Sequence, residues 1–222
     1  MVDGNIFRDL KQSLSSKSVT FDQLRQKISG DFFDDSFNRA RYATDASIYQ
    51  MMPHAVVAPR TFADVEACVE FARANDIALL PRGGGTSQCG QTVNNAIVLD
   101  YTKYLNKVTD LDAKNHTCTV EPGIVLDDLN RQLKPHGLWF PVDVSTSSRA
   151  TIGGMTANNS CGGRSIRYGI MRDNVISISA LLADGSTANF GKLADDDKLP
   201  EGRLGEITQT LLSIGLENKS EI

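Results

Sequence analysis

The run Pro81-Arg82-Gly83-Gly84-Gly85-Thr86-Ser87-Gln88-Cys89-Gly90-Gln91 gathers bare backbone and small hydroxyls into one short stretch. Three consecutive glycines let another group approach the main chain closely. Successive N–H groups in such a loop make a concavity that favours phosphate oxygens. Thr86 and Ser87 add hydroxyl donors, and Gln91 adds an amide. The same composition also suits a glycine-rich surface turn. Neither nucleotide-loop pattern fits: Gly83, Gly85 and Gln88 break G-x-G-x-x-G, and no lysine follows as in a Walker loop. The stretch indicates phosphate without saying what carries it.

A second constellation lies over residues 141–169. It reads Pro-Val-Asp-Val-Ser-Thr-Ser-Ser-Arg-Ala-Thr-Ile-Gly-Gly-Met-Thr-Ala-Asn-Asn-Ser-Cys-Gly-Gly-Arg-Ser-Ile-Arg-Tyr-Gly. Ser145, Thr146, Thr151, Asn158 and Asn159 are neutral donors and acceptors, suited to a pyrophosphate, a ribitol chain or a polar ring edge. Few large apolar residues accompany them, so the segment is expected to stay mobile unless a ligand fills the gap. Its tight flanking by strands favours a functional loop over a linker. Arg149, Arg164 and Arg167 are either solvated surface residues or contacts for an acidic ligand. Cys89 and Cys161 sit in the two loops, but a reactive thiolate needs a base or an electropositive setting, and the sequence offers neither.

Several elements must position these loops. Ala55–Ala58, Ile77–Leu80 and Ala96–Asp100 are short apolar runs that read as buried strands. Between the first two, Thr61 with Asp64 predicts a helix start, and Phe62, Val65, Val69 and Ala72 fall on one face. Strand, helix and strand together predict a right-handed parallel crossover. That places the glycine run at a strand's C-terminal end, the edge where open α/β sheets bind ligands. Upstream, Thr20 with Gln23 predicts a capping box ahead of a helix bearing Phe21, Leu24 and Ile28. The run Asp31–Asp35 reads as a loop that tucks two rings inward.

Beyond Val108 the texture changes. Val108–Leu111 and Thr117–Glu121 alternate as half-buried strands do, and Ile124, Leu126, Leu129 and Leu133 mark an amphipathic helix. Leu138–Phe140 reads as a short strand. Ile176–Leu182, the turn Asp184-Gly185-Ser186 and Thr187–Phe190 predict a hairpin. Glu206–Leu216 suits a helix with Ile207, Leu211 and Leu212 inward.

Bulk properties narrow the function classes. At 222 residues and net charge −4, the chain lacks the basic stripe that nucleic-acid backbones require, so no nucleic-acid partner is expected. No apolar run is long enough to span a bilayer, and no signal-peptide core begins the chain. Cys68, Cys89, Cys118 and Cys161 show no C-x-x-C spacing and read as free thiols in a reducing, cytoplasmic compartment. His54, His116 and His136 stand alone, so no metal site is expected.

The two glycine motifs, in this order and at this separation, resemble the FAD-binding domain of the vanillyl-alcohol oxidase and p-cresol methylhydroxylase type. The Asp45-x-Ser47-x-Tyr49 segment and the Ala55–Val65 run are similar to the branch of D-lactate, glycolate and D-2-hydroxyglutarate dehydrogenases. The likeness covers roughly residues 40–190. It implies an α+β, two-lobed domain: a small parallel α/β lobe (51–106) and a larger, mostly antiparallel β lobe with helices (107–191), with FAD between them. Residues 1–50 would form an N-terminal helical segment, and 192–222 a charged, partly helical one.

The resemblance also implies roles for residues. Pro81, Arg82, Gly83, Gly84, Gly85, Thr86, Ser87, Gly90 and Gln91 would wrap the FAD pyrophosphate through backbone N–H groups. Pro141, Ser145, Thr151, Ile152, Gly153, Gly154 and Asn158 would line the flavin and its ribityl chain. Gly162, Gly169 and Val175 would lie toward the adenine end. Covalent members carry a histidine where this chain has Thr86, so non-covalent FAD is expected. The implied reaction is hydride transfer from a small D-2-hydroxy acid to flavin, with electrons leaving to a separate acceptor. An oxidase or reductase on another substrate, and a non-catalytic nucleotide-binding module, are the alternatives. Family members carry a further substrate-covering domain, so the sequence is expected to be an N-terminal fragment, with the catalytic base elsewhere.

Overall fold

The computed structural model describes residues 20–193 and 198–221. The expected helical segment before residue 20 lies outside the described residues.

The N-terminal half is organised by a four-stranded sheet. Its strands are β1 (Asp31–Phe33), β2 (Ala55–Ala58), β3 (Leu79–Arg82) and β4 (Ile97–Asp100), in spatial order β1-β2-β4-β3. β2 and β3 both run parallel to β4, while β1 is antiparallel to β2. Every residue of β2 and β4 is buried, as expected for central strands of a covered sheet. Helix α3 (Phe62–Asn75) connects β2 to β3 and buries Val65, Cys68, Val69 and Ala72. Thr61 and Asp64 form the expected capping box. Helix α1 (Asp22–Lys27) inserts Leu24 into the same core, beside Phe21, Ile28 and Phe32. Helix α2 (Ser36–Arg41) follows β1, capped by Asp35.

Several expectations are corrected here. Phe21, not Thr20, precedes the first turn of α1, and no side chain caps it. The Asp31–Asp35 run is a loop only at Asp34 and Asp35: Asp31–Phe33 extends along the edge of β2, and Phe32 packs inward as expected. The strand expected at Ile77–Leu80 is shifted to Leu79–Arg82 and takes in Pro81, which an edge strand tolerates because one row of N–H groups has no partner there. Phe62 sits at the solvent-facing start of α3 and is half exposed.

The second half packs around Ile124, Leu126, Leu129, Leu133, Val142, Ile152, Met155 and Met171. Two hairpins belong to this half: the first packs on this core through Val108, Leu111, Cys118 and Val120, and the second sends Leu181 against the N-terminal core. One joins β5 (Val108–Asp112) to β6 (Thr117–Val120), and the other joins β7 (Ser177–Leu181) to β8 (Thr187–Gly191). Gly185 makes the second turn with φ of 84°, a value that disfavours any side chain. Between the hairpins run α4 (Leu126–Leu133), α5 (Ile152–Ala157), α6 (Ser165–Tyr168) and α7 (Met171–Asn174). The fold class is α+β with parallel and antiparallel sheets, as expected, though this half holds more short helices than the sequence suggests. Leu138–Phe140 is not a strand, because the Phe140 N–H donates to Asn130 Oδ1 at 2.7 Å. Helix α8 (Gly202–Glu217) leaves Leu211 and Leu212 more than half exposed, contrary to the expected inward face.

Candidate functional site

The glycine run leaves the C-terminal end of β3, as its sequence position requires. Among the described residues, the backbone N–H groups of Gly83, Gly84, Gly85, Thr86, Ser87 and Gln88 find no acceptor. These unpaired main-chain donors sit on a partly exposed loop, where solvent or an anion can accept from them. The loop is shaped locally. Ser87 Oγ donates to Gln91 Oε1 at 2.9 Å and accepts from the Cys89 N–H at 3.2 Å. Gly85 and Gly90 take φ of 65° and 71°.

The two glycine constellations meet. A Cβ on Gly83 would lie 2.2 Å from Thr151 Oγ1, and one on Gly84 would lie 2.2 Å from the Arg149 carbonyl oxygen. These glycines are therefore needed as much for loop-against-loop packing as for a ligand. Arg149 is exposed at this seam, and among the described residues it has no carboxylate partner. It adds positive charge beside the row of free donors.

Part of the second segment is stitched by its backbone to residues 122–127: Ile152 N–H donates to Ile124 at 2.9 Å, Gly153 N–H to Pro122 at 2.9 Å, and Leu126 N–H to Ala150 at 3.0 Å. Ala150, Thr151, Ile152 and Met155 are buried, while Cys161, Gly163, Arg164 and Ile166–Tyr168 are exposed. Thr151 caps α5 by accepting from the Gly154 N–H at 3.2 Å. Gly153 is required because a Cβ would meet Pro122 at 2.7 Å. Asn158 closes α5, its amide donating to the Gly154 carbonyl. Pro141 and Ser145 lie on the irregular stretch that leads into α5.

The remaining expected site residues are held by neighbours of their own. Gly162 passes over Asp143, whose carbonyl would lie 1.8 Å from a Cβ there. Asp143 Oδ1 also accepts from the Arg164 N–H at 3.0 Å. Gly169, at φ of 80°, turns the chain beside Asp173, and Val175 packs on the second core. Pro81 has no N–H to offer. The Arg82 guanidinium lies against Gly85 and bonds main-chain carbonyls of Tyr42, Thr44 and Thr92.

Sequence reasoning missed Tyr42, Thr92 and Asp143 as parts of the site's framework. Asp45-x-Ser47 carried a usable signal, since Asp side chains accept from the N–H two residues on, as Asp45 does from Ser47 at 2.8 Å. Desolvation pushes the Asp45 carboxyl upward, but donors from Ser47 and Thr92 outweigh it and hold the group below its ordinary range. Among the described residues, no cluster of His, Cys, Asp and Glu could hold a metal, and no helix is long and apolar enough to cross a membrane.

Known proteins match this arrangement. The chain is 38% identical over 177 residues to the D-2-hydroxyglutarate dehydrogenase of Haemophilus influenzae, a match covering 78% of this chain and 17% of that protein. It is 36% identical over 207 residues to the glycolate oxidase subunit GlcD of Bacillus subtilis, covering 87% of this chain and 44% of that protein. It thus spans under half the length of these relatives. Among solved structures, an alkyldihydroxyacetonephosphate synthase superposes with a TM-score of 0.68 at 22% identity, over 78% of this chain and 36% of that one, which establishes a shared fold. A family profile described as an FAD binding domain matches residues 53–191, spanning both glycine constellations. The row of free donors and the docked Thr151 helix thus lie within a recognised flavin-binding frame, and the chain belongs to the FAD binding domain family.

Proposed function

We propose that this chain is the FAD-holding part of a dehydrogenase that oxidises a small D-2-hydroxy acid in the cytoplasm. The observation that carries the reading is the row of unpartnered N–H groups from Gly83 to Gln88, packed against Thr151. Its chemistry fits a diphosphate, because backbone donors and the neighbouring Arg149 favour anionic oxygens without needing a lysine. The names of the relatives support the substrate class.

In this reading, residues 51–106 and 107–191 are two lobes that face each other across the cofactor. Thr86, Ser87, Gly90 and Gln91 complete the diphosphate cradle begun by Gly83–Gly85. Pro141, Ser145, Thr151, Ile152, Gly153, Gly154 and Asn158 orient the flavin and ribityl chain. Gly162, Gly169 and Val175 border the adenine end. When bound, the flavin would supply two-electron oxidation of the hydroxy acid's alcohol carbon, with the hydroxyl proton passing to a base outside this chain and the electrons to a separate acceptor. The chain's residues bind and orient it. Thr86 offers no nitrogen for a flavin bond, so attachment is non-covalent.

Thermal unfolding with FAD or ADP tests the site. Ligand at a hundredfold its Kd adds about 2.7 kcal/mol, roughly a 5–10 °C rise for a domain of this size. FAD is expected to produce that rise and ADP much less; equal shifts would favour a nucleotide module without redox chemistry. D-lactate, glycolate and D-2-hydroxyglutarate are then mixed anaerobically with an FAD-loaded longer protein that joins this chain to its substrate-covering domain, since this chain alone is expected to be inactive. Bleaching of the flavin's visible absorbance by one of them is expected, and flavin in that longer protein that none of them bleaches would remove the substrate class.

A further inference from the structure

The family match begins at residue 53, yet one flank of the glycine loop is built from residues before it. Residues 42–51 form a closed loop of their own. Thr44 and Gln50 pair as an antiparallel bridge, and the Met51 N–H donates to the Ala43 carbonyl at 2.9 Å. Inside it, Asp45 Oδ1 accepts from the Ser47 N–H at 2.8 Å, and Ser47 Oγ accepts from the Tyr49 N–H at 3.1 Å.

This arm grips the glycine loop at several points. The Ala46 N–H donates to the Gly85 carbonyl at 3.1 Å. Asp45 Oδ2 accepts from Thr92 Oγ1 at 2.9 Å, where the loop ends. The Tyr49 ring lies under Gly90, 2.6 Å from where a Cβ would stand. Arg82 ties both sides together. Its guanidinium donates to the carbonyls of Tyr42 at 3.1 Å and Thr44 at 2.8 Å in the arm, and to that of Thr92 at 2.9 Å beyond the loop. It stacks on the Tyr42 ring at 5.3 Å, and the Tyr42 hydroxyl donates to Asp100 Oδ2 at 2.7 Å.

Apolar burial does not account for this docking, since Ile48 is 94% exposed and Tyr49 56% exposed. The grip is polar and aimed at particular peptide groups. In a trans peptide the carbonyl and the following N–H point in opposite directions. Fixing the Gly85 carbonyl toward Ala46 therefore turns the Thr86 N–H to the opposite, open side. Gly85 must also stay bare, because a Cβ would sit 2.7 Å from the Arg82 guanidinium.

We propose that the 42–51 arm, keyed by Arg82, is a component of the cofactor site that sets the peptide planes of the glycine loop before the diphosphate arrives. Arg82 is a positioning residue here and not a phosphate contact. The inference rests on the FAD reading above. Ligand affinity falls when a site must be ordered at the moment of binding, so the arm's contribution appears in the FAD dissociation constant as well as in loop order.

The test compares the full chain with Arg82→Lys, Tyr49→Ala and, as a control far from the loop, Asp64→Asn. Two quantities are read: FAD affinity by fluorescence quenching, and backbone order parameters of the Gly83–Gln91 amides without ligand. Arg82→Lys keeps the charge but loses the planar fork that reaches three carbonyls. It is expected to weaken FAD by about tenfold, the equivalent of one charged hydrogen bond, and to lower order in the loop amides alone. Tyr49→Ala should move both quantities in the same direction. Asp64→Asn should lower the unfolding midpoint and leave both unchanged. The inference is overturned if Arg82→Lys and Tyr49→Ala bind FAD like the parent, or if their loop order is unaltered. A parent that binds no FAD would remove the cofactor reading instead, and the order parameters would still decide whether the arm holds the loop.

Discussion

Thr151 Oγ1 occupies the space that a Cβ on Gly83 would need, 2.2 Å from its ideal position. The hydroxyl has little freedom to leave, because it accepts the Gly154 N–H that opens α5 and Thr151 is almost fully buried. Gly83→Ala must therefore push the two glycine constellations apart. Overpacking of this kind costs about 1–3 kcal/mol, and the displaced donors should also lose FAD. Thr151→Ala alone loses a helix cap, at about 1 kcal/mol, but removes the obstructing oxygen. The double variant is expected to be more stable than the sum of the single losses. Urea unfolding of the four proteins measures that coupling, and strict additivity would show that the two residues do not press on each other.

Flavin attachment gives a simpler check. Thr86 stands in the half-buried part of the loop and has no imidazole to alkylate. Acid precipitation of the FAD-loaded protein should leave all of the yellow colour in the supernatant. Colour retained in the washed pellet would mean that another side chain forms the bond.

What the sequence disclosed depended on how local the cause was. β2 and β4 are legible because short apolar runs need burial on both faces, and the α3 start is legible because Thr61 and Asp64 bond each other's backbone within one turn. β1 was hidden: two adjacent aromatics flanked by acids show no strand alternation and do not say that the edge of β2 is open to them. α5 was hidden because two glycines depress helix propensity, and only Thr151 and the bonds to residues 122–127 recover it. Arg82 was read only for its backbone N–H, and the work of its guanidinium was hidden: its partners are carbonyls as far as 40 residues away, and no local pattern announces them.

The four cysteines should separate by environment. Cys68 is fully buried on α3, and burial, with some help from Asp64, pushes its thiol up to about 12. It should resist thiol reagents at neutral pH until the protein unfolds. Cys89 and Cys161 are exposed, one in each glycine constellation. They should react first with a chromogenic disulfide, and FAD should slow Cys89 because that residue lies within the loop that closes on the diphosphate. Peptide mapping after brief labelling identifies the sites. Rapid labelling of Cys68 in the native protein would contradict the packing of α3 on the sheet.

Asp64 links pH to stability. Its carboxylate is 3% exposed and accepts from the Ser29 N–H at 2.8 Å, the Arg60 N–H at 2.7 Å and the Thr61 N–H at 3.2 Å. Burial pushes its pKa upward, but these donors together outweigh it and hold the group below its ordinary value. Because the folded pKa lies below the unfolded one, the ionised carboxylate stabilises the fold fully above about pH 4, the unfolded value. That contribution is lost as pH falls through the folded pKa. Asp64→Asn keeps the shape but replaces one acceptor oxygen with a donor facing the same N–H groups. It should cost about 1–3 kcal/mol at neutral pH. The gap between parent and variant should then narrow as the solution is taken from pH 5 toward roughly pH 2, below both pKa values. Denaturant titrations across that range supply the measurement. A gap that stays level, or widens toward low pH, would show that the carboxylate's charge does not hold α1, the Arg60 turn and the start of α3 together.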